Sequence, residues 1–185
     1  MSADAAPGRL EAVRALLTTW SIPNDTRHPA DALDALAADP DAWERALPGV
    51  PVPAPGEVDE LRALREDLRA ALGDPRPVAL AGWLERHRLA PRLQADGDAP
   101  VRLVPQHPGA AAELLARVVD AVADGTWYRL RACPDCAHAF YDTSRNASRT
   151  WCRMVRGDAS GRSCGSIAKA RAKRARDRGA REAAG

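Results

Sequence analysis

All four cysteines of the chain fall in its last third, at Cys133, Cys136, Cys152 and Cys164, and no other feature restricts the fold as much. Cys133-Pro134-Asp135-Cys136 is a C-x2-C knuckle, a tight turn that aims two sulfurs at one point. Fifteen residues lead on to Cys152 and eleven more to Cys164. Thiolates from separated segments supply the tetrahedron that a zinc ion takes, and the first two intervals match structural Zn2+ sites. The third is longer than usual, so Cys164 is the ligand that spacing fixes least. Two disulfides would need an oxidising compartment. The opening MSADAAPGRL has neither the basic start nor the apolar run of a secretory signal, so the thiols are expected to stay reduced. A redox dithiol would want a strand–CxxC–helix setting, whereas an arginine-rich tail follows here. His138, two residues past the knuckle, is a substitute ligand in principle. With four cysteines present it is read as a surface residue of the following strand.

Between the two halves of this set the chain reads AFYDTSRNASRTWC. Phe140 and Tyr141 start a β-like run, Asp142 to Ser148 is a string of turn formers, and Trp151-Cys152 is expected to close a returning strand. Knuckle, hairpin and a helix carrying the last cysteine make a treble-clef-like finger. So small a unit buries little apolar surface, and the metal is expected to supply the missing stability.

The knuckle, the aromatic–Asp-Thr-Ser-Arg-Asn run, the Trp-Cys pair and a Cys-Gly before a basic helix resemble the CGNR zinc finger. Asp142, Ser144, Arg145, Asn146, Arg149, Trp151 and Met154 all stand in register with that family. In it the finger ends a chain whose N-terminal part is the ABATE domain of stress-induced transcription regulators. The resemblance therefore implies a DNA-binding regulator of the stress response whose first 128 residues sense a small molecule or a protein partner. Two departures stand out. Cys164-Gly165-Ser166-Ile167 occupies the place of Cys-Gly-Asn-Arg, and a polar insert from Val155 to Ser163 separates Cys152 from Cys164. A longer loop adds closure entropy only slowly, so the insert is compatible with metal binding. The contact made by the family's motif arginine has no counterpart residue.

Charge divides the chain in the same place. Residues 1–128 carry 13 arginines and 20 acidic residues, a net −7, and residues 129–185 carry 14 basic and 5 acidic residues, a net +9. The total of +2 hides an acidic body joined to a basic finger. The domains are accordingly drawn as 1–128 and 129–185, the body expected to complete its own core and the metal to stabilise the rest, with a chain ending near Gly125 folding without zinc.

The body reads as mainly α with one small β-hairpin. Apolar residues recur at helical spacing over 9–20, 58–72, 77–89 and 108–125, and short helices are expected over 30–38 and 40–47. Residues 91–105 read as two strands around Asp96-Gly97-Asp98. The chain has one Phe and two Tyr, so its five Trp are expected to supply much of the core bulk.

No paired carboxylates, nucleophile elbow, phosphate loop or zinc-protease motif occurs, and His28, His87 and His107 are scattered, so no enzyme is expected. No run is long enough to cross a membrane. In the tail, Lys169, Arg171, Lys173, Arg174, Arg176 and Arg178 surround a narrow alanine stripe of Ala168, Ala172 and Ala175. Alanines bury little area, and cations all round repel one another unless a polyanion neutralises them. Those six residues, with Arg145 and Arg149 of the hairpin, are the candidate nucleic-acid contacts, duplex DNA being the expected partner in a cytoplasmic, nucleoid-associated protein. The alternative is an RNA-contacting or protein-interaction module scaffolded by zinc. Ser166-Ile167 at the helix start suits base readout poorly, while Phe140, Tyr141 and Trp151 are aromatics that RNA bases would stack on.

Overall fold

The computed structural model of the chain describes residues 4–24, 26–94, 100–152 and 163–182. Met154, the insert before Ser163 and the Asp96-Gly97-Asp98 turn lie outside them.

The leucine stripes of the body become buried helix faces. Helix α1 (Leu10–Thr18) buries Leu10, Val13, Leu16 and Leu17. The chain then forms β1 (Trp20–Ser21), which pairs antiparallel with β2 (Ala30–Asp31). Strands of two residues carry no alternation, and this pair was not expected from sequence. Helices α2 (Leu33–Ala37) and α3 (Pro40–Ala46) follow. Asp39 caps α3 by accepting from the amides of Asp41 and Ala42 at 3.1 and 3.0 Å, and Pro40 needs no amide partner in the first turn. A 3-10 turn at Pro55–Glu57 leads into α4 (Val58–Ala70), which buries Leu61, Leu64 and Leu68.

The helix expected over 77–89 is split. Val78–Leu80 is a 3-10 turn, α5 covers only Ala81–Arg86, and Leu89 already belongs to a strand. Strand pairing overrides helical periodicity there: β3 (Leu89–Leu93) lies antiparallel to β4 (Val101–Pro105), with Leu89 opposite Pro105. Helix α6 (Ala110–Ala123) is buried along Leu114, Leu115 and Val118.

The finger hairpin differs from the expected one. Strand β5 (Leu130–Ala132) pairs with β6 (Ala139–Tyr141), with Leu130 opposite Tyr141. The partner of Ala139–Tyr141 therefore lies before the knuckle, and Trp151-Cys152 forms no strand. The reason is that the knuckle is itself the hairpin turn. The Cys133 amide donates to the His138 carbonyl at 2.9 Å and the Ala137 amide to the Cys133 carbonyl at 2.8 Å, with Ala137 at φ 57° closing the bend. The basic helix, α7 (Cys164–Glu182), carries the last cysteine as its first residue. The described residues are thus about half helical, with three two-stranded antiparallel pairs, and none of their helices is long and apolar enough to cross a membrane.

One apolar cluster joins α1, α3, α4 and α6, with Trp43, Trp83 and Trp127 among its buried bulk. It does not stop at residue 128: Leu130, Ala139 and Tyr141 of the finger hairpin belong to it. A second cluster holds the four cysteines and Phe140, with Trp151 against it. Polar bridges tie the two together. Arg69 donates to the carbonyls of Leu17 and Ala137 at 2.7 and 2.6 Å, and Arg14 donates to the Ala139 carbonyl at 3.2 Å.

Candidate metal centre

Three segments bring the sulfurs together. The knuckle supplies Cys133 and Cys136, the chain after the Asp142 turn supplies Cys152, and the first residue of α7 supplies Cys164. All four side chains are buried and their sulfurs lie within 4.8 Å of one another. Cys136 and Cys152 are 3.4 Å apart and Cys152 and Cys164 are 3.7 Å apart. A disulfide needs about 2.0 Å, and none joins any two of the four. A tetrahedron with zinc–sulfur bonds of about 2.3 Å has edges of about 3.8 Å, so the donor set suits a four-thiolate ion in both number and spacing.

The thiols already act on one another. Hydrogen bonds from Cys136 and Cys152 hold the Cys133 thiol far below its ordinary value. The same bond to Cys133 pushes Cys136 up to about 12. Four buried negative charges at these separations coexist only around a cation, which is the chemistry such a set is built to supply. His138 takes no part. It is partly buried and lies 3.9 Å from Asp4 Oδ2, and burial lowers its pKa, which favours the neutral ring.

The turn between the halves is organised by Asp142, which has no exposed surface. Its two oxygens accept from the Ser144 and Arg149 amides at 2.8 and 2.7 Å. Burial pushes this carboxyl up, but the bonds from Ser144 and Arg149 and the charge of Arg131 outweigh it and hold the carboxyl below its ordinary value. Arg129 donates to the Asp142 and Ser144 carbonyls at 3.0 and 2.8 Å and closes the turn from the other side.

The eight candidate nucleic-acid residues separate into three groups. Arg149 is turned inward. Its guanidinium lies 4.4 Å over the Phe140 ring, donates to the Trp151 carbonyl at 2.9 Å and pairs with Asp4. It braces the finger against the N-terminal segment. Arg171 is half exposed but pairs with Asp135 of the knuckle at 2.5 Å. Arg145, Lys169, Lys173, Arg174, Arg176 and Arg178 are exposed.

Two contributors were not found from sequence. Asp135 has almost no exposed surface and ties α7 to the knuckle; a carboxylate inside the C-x2-C turn upstream of a basic helix was the available signal. Asn24 lies in the loop after β1, 140 positions from Cys164, and its amide nitrogen is 2.9 Å from that sulfur. No local pattern marks it.

The sequence model of the CGNR zinc finger family matches residues 129–177. That span holds every cysteine, the Asp142 turn, Trp151 and most of α7. Among curated proteins nothing matches the chain. The family match and the four-sulfur cluster together point to a metal centre, with zinc as its ion.

Proposed function

We propose that the chain is a zinc-containing, DNA-binding regulator in which a four-cysteine centre aims a basic helix at duplex phosphates. One observation carries the reading: Cys164 is both a sulfur of the cluster and the first residue of α7. An ion held there sets where the basic helix starts and in which direction it leaves. Two turns on, the Asp135–Arg171 pair fixes that direction a second time. Lys169, Lys173 and Arg176 recur at i, i+4 and i+7 and so form one exposed stripe, while Arg174 and Arg178 share the next face with Arg171. Cations in such rows suit a phosphate backbone. Arg145, at the tip of the Asp142 turn, is the residue best placed for a contact outside the helix.

In this reading the metal is structural: when bound, it supplies a charge-neutralising cross-link and no reaction step. The four thiolates hold it, and Asp142, Arg129 and Arg149 shape the loop that delivers Cys152. Phe140 and Tyr141 are buried and so are withheld from stacking on bases. That favours a duplex over single-stranded RNA. The body is assigned the regulatory, non-catalytic half. An apolar groove of about 350 Å³, lined by Leu80, Leu84, Leu115, Val118, Val119 and Val122, is its candidate surface for a ligand or partner.

The test is fluorescence anisotropy of the purified, zinc-loaded chain on a labelled duplex and on single-stranded RNA over a salt series. Three to four phosphates engaged would give a log–log salt slope of roughly −3 to −4 on the duplex. Equal or tighter binding to RNA, or affinity that ignores salt, would move the accessory-module reading ahead.

A further inference from the structure

We infer that Asn24 is an outer-sphere partner of the metal centre, through which the body, at Ile22, Asn24 and Arg27, becomes part of the finger's ion site. The inference rests on the metal-centre reading and extends it to a residue outside the finger. Asn24 is 5 % exposed, and its Nδ2 donates to Cys164 Sγ at 2.9 Å. Which end of the amide faces the sulfur is settled by its neighbour, because Arg27 Nη1 donates to Asn24 Oδ1 at 3.1 Å and must find an oxygen there.

The loop is held against the knuckle at two more points. The Ile22 amide donates to the Cys136 carbonyl at 2.8 Å, and Arg27 Nη1 donates to the Asp135 carbonyl at 2.9 Å. Arg27 sits at φ 58°, an uncommon conformation for a side-chain-bearing residue, and its amide closes onto the Pro23 carbonyl at 2.9 Å. Such a backbone persists where surrounding contacts over-determine it, and here those contacts converge on the cysteine cluster.

The chemistry gives the amide a task. Four thiolates around a divalent cation leave a net charge of about −2 in a buried site, and N–H donors to the sulfurs disperse it. For Cys164 the body provides one. Because the bond favours the charged, metal-bound sulfur, ion binding and loop docking must strengthen each other reciprocally. Metal occupancy of the finger is thereby read by the body.

The experiment titrates Co2+ into the full chain, stripped of metal and kept reduced. Wild type should give a tetrahedral thiolate spectrum. Asn24→Ala should bind Co2+ and, by competition, Zn2+ at least about tenfold more weakly, with the sulfur-to-cobalt charge-transfer band moved to lower energy as the sulfur loses its donor. Asn24→Asp, which sets a carboxylate against the thiolate, should bind more weakly still. Wild-type affinity together with an unmoved band in Asn24→Ala overturns the inference while leaving the metal centre intact. A wild-type spectrum without tetrahedral thiolate features sinks both. A second measurement needs no variant: hydrogen exchange at the Ile22 amide should be slow with zinc and at least tenfold faster after chelation. Equal exchange in the two states also overturns the inference.

Discussion

The indole of Trp151 lies against Gly165 so closely that a Cβ on that glycine would meet Cδ1 at 3.2 Å and Cγ at 3.3 Å. The Trp-Cys and Cys-Gly pairs are thus two sides of one contact, which draws the Cys152 segment onto the first turn of α7. Alanine at 165 must displace the ring by a few tenths of an ångström but gains helix propensity, up to about 1 kcal/mol in a helix interior. Gly165→Ala is therefore expected to stay within about 1 kcal/mol of wild type. Gly165→Val adds bulk without that gain and should cost roughly 1–3 kcal/mol, with zinc lost at lower chelator concentration. Urea unfolding with a chelator titration checks both, and a Val variant as stable as wild type would show that the contact is slack.

Asp142 is the only carboxylate serving the two turn amides of Ser144 and Arg149 among the described hydrogen bonds. Asp142→Ala leaves both part-buried donors without that acceptor, a loss of roughly 2–6 kcal/mol at about 1–3 kcal/mol for each stranded donor. Asn keeps one acceptor oxygen and should recover part of the loss. Thermal unfolding of the zinc-loaded proteins gives the ranking, and it fails if Asn and Ala behave alike.

Arg65 is buried and holds Asp31 through two bonds of 2.7 and 2.6 Å, with a third to Thr19 Oγ1 at 2.7 Å. The Arg65 hydrogen bonds keep the Asp31 carboxyl at about 2, below its ordinary 3.8. A depressed carboxyl contributes stability that is fully present above its unfolded pKa and is lost as pH falls through the folded one. The window is thus from about pH 4 down to about pH 2, and the contribution is about 1–2 kcal/mol after solvent screening. Asp31→Asn, which also strands the guanidinium, should cost about 3 kcal/mol at pH 7. Its deficit against wild type should narrow by about 1–2 kcal/mol on acidification. Zinc thiolates protonate in the same direction but equally in both proteins. A deficit that stays constant from pH 7 to pH 2.5 would remove Asp31 from the account.

A chain ending at Gly125 loses Trp127, Leu130, Ala139 and Tyr141, all members of the body's apolar cluster. It also loses the Ala137 and Ala139 carbonyls that receive Arg69 and Arg14. Exposing this much apolar surface and stranding two arginines is expected to abolish cooperative unfolding. Separate folding of the body, the expectation from residue patterns, would show as a sigmoidal, zinc-independent thermal transition of the shortened chain.

The rows of α7 are expected to act differently on nucleic acid. Lys173→Ala with Arg176→Ala removes two exposed cations of one stripe and should flatten the salt slope by about two units, for every duplex sequence alike. Arg171→Ala instead frees α7 from Asp135, so it should weaken binding at all salt concentrations with little change in slope. If the two variants show the same slope, Arg171 contacts phosphate and the division between anchor and contact is wrong.

Local chemistry alone determined a good deal of this protein. The C-x2-C turn and its two distant partners specified a four-sulfur set, because soft ligands at those intervals have few other uses. The stripes of α1, α4 and α6 were legible from period, since each buries one face along its own length. A hairpin within 91–105 was legible from its strands, although the first strand begins at Leu89, which read as helical. The acidic body and basic tail were legible by counting. What required the tertiary structure were relations between residues far apart in sequence. β6 pairs backward across the knuckle rather than forward to Trp151, because the turn that sets its register is the metal knuckle itself. Arg149 and Arg171 look like their exposed neighbours in the sequence, and only Asp4 and Asp135, brought in from other segments, engage them in ion pairs. Asn24 reaches Cys164 across 140 positions. A hydrogen bond of that kind depends on the packing of α1 against β6, and no period or spacing along the chain encodes it.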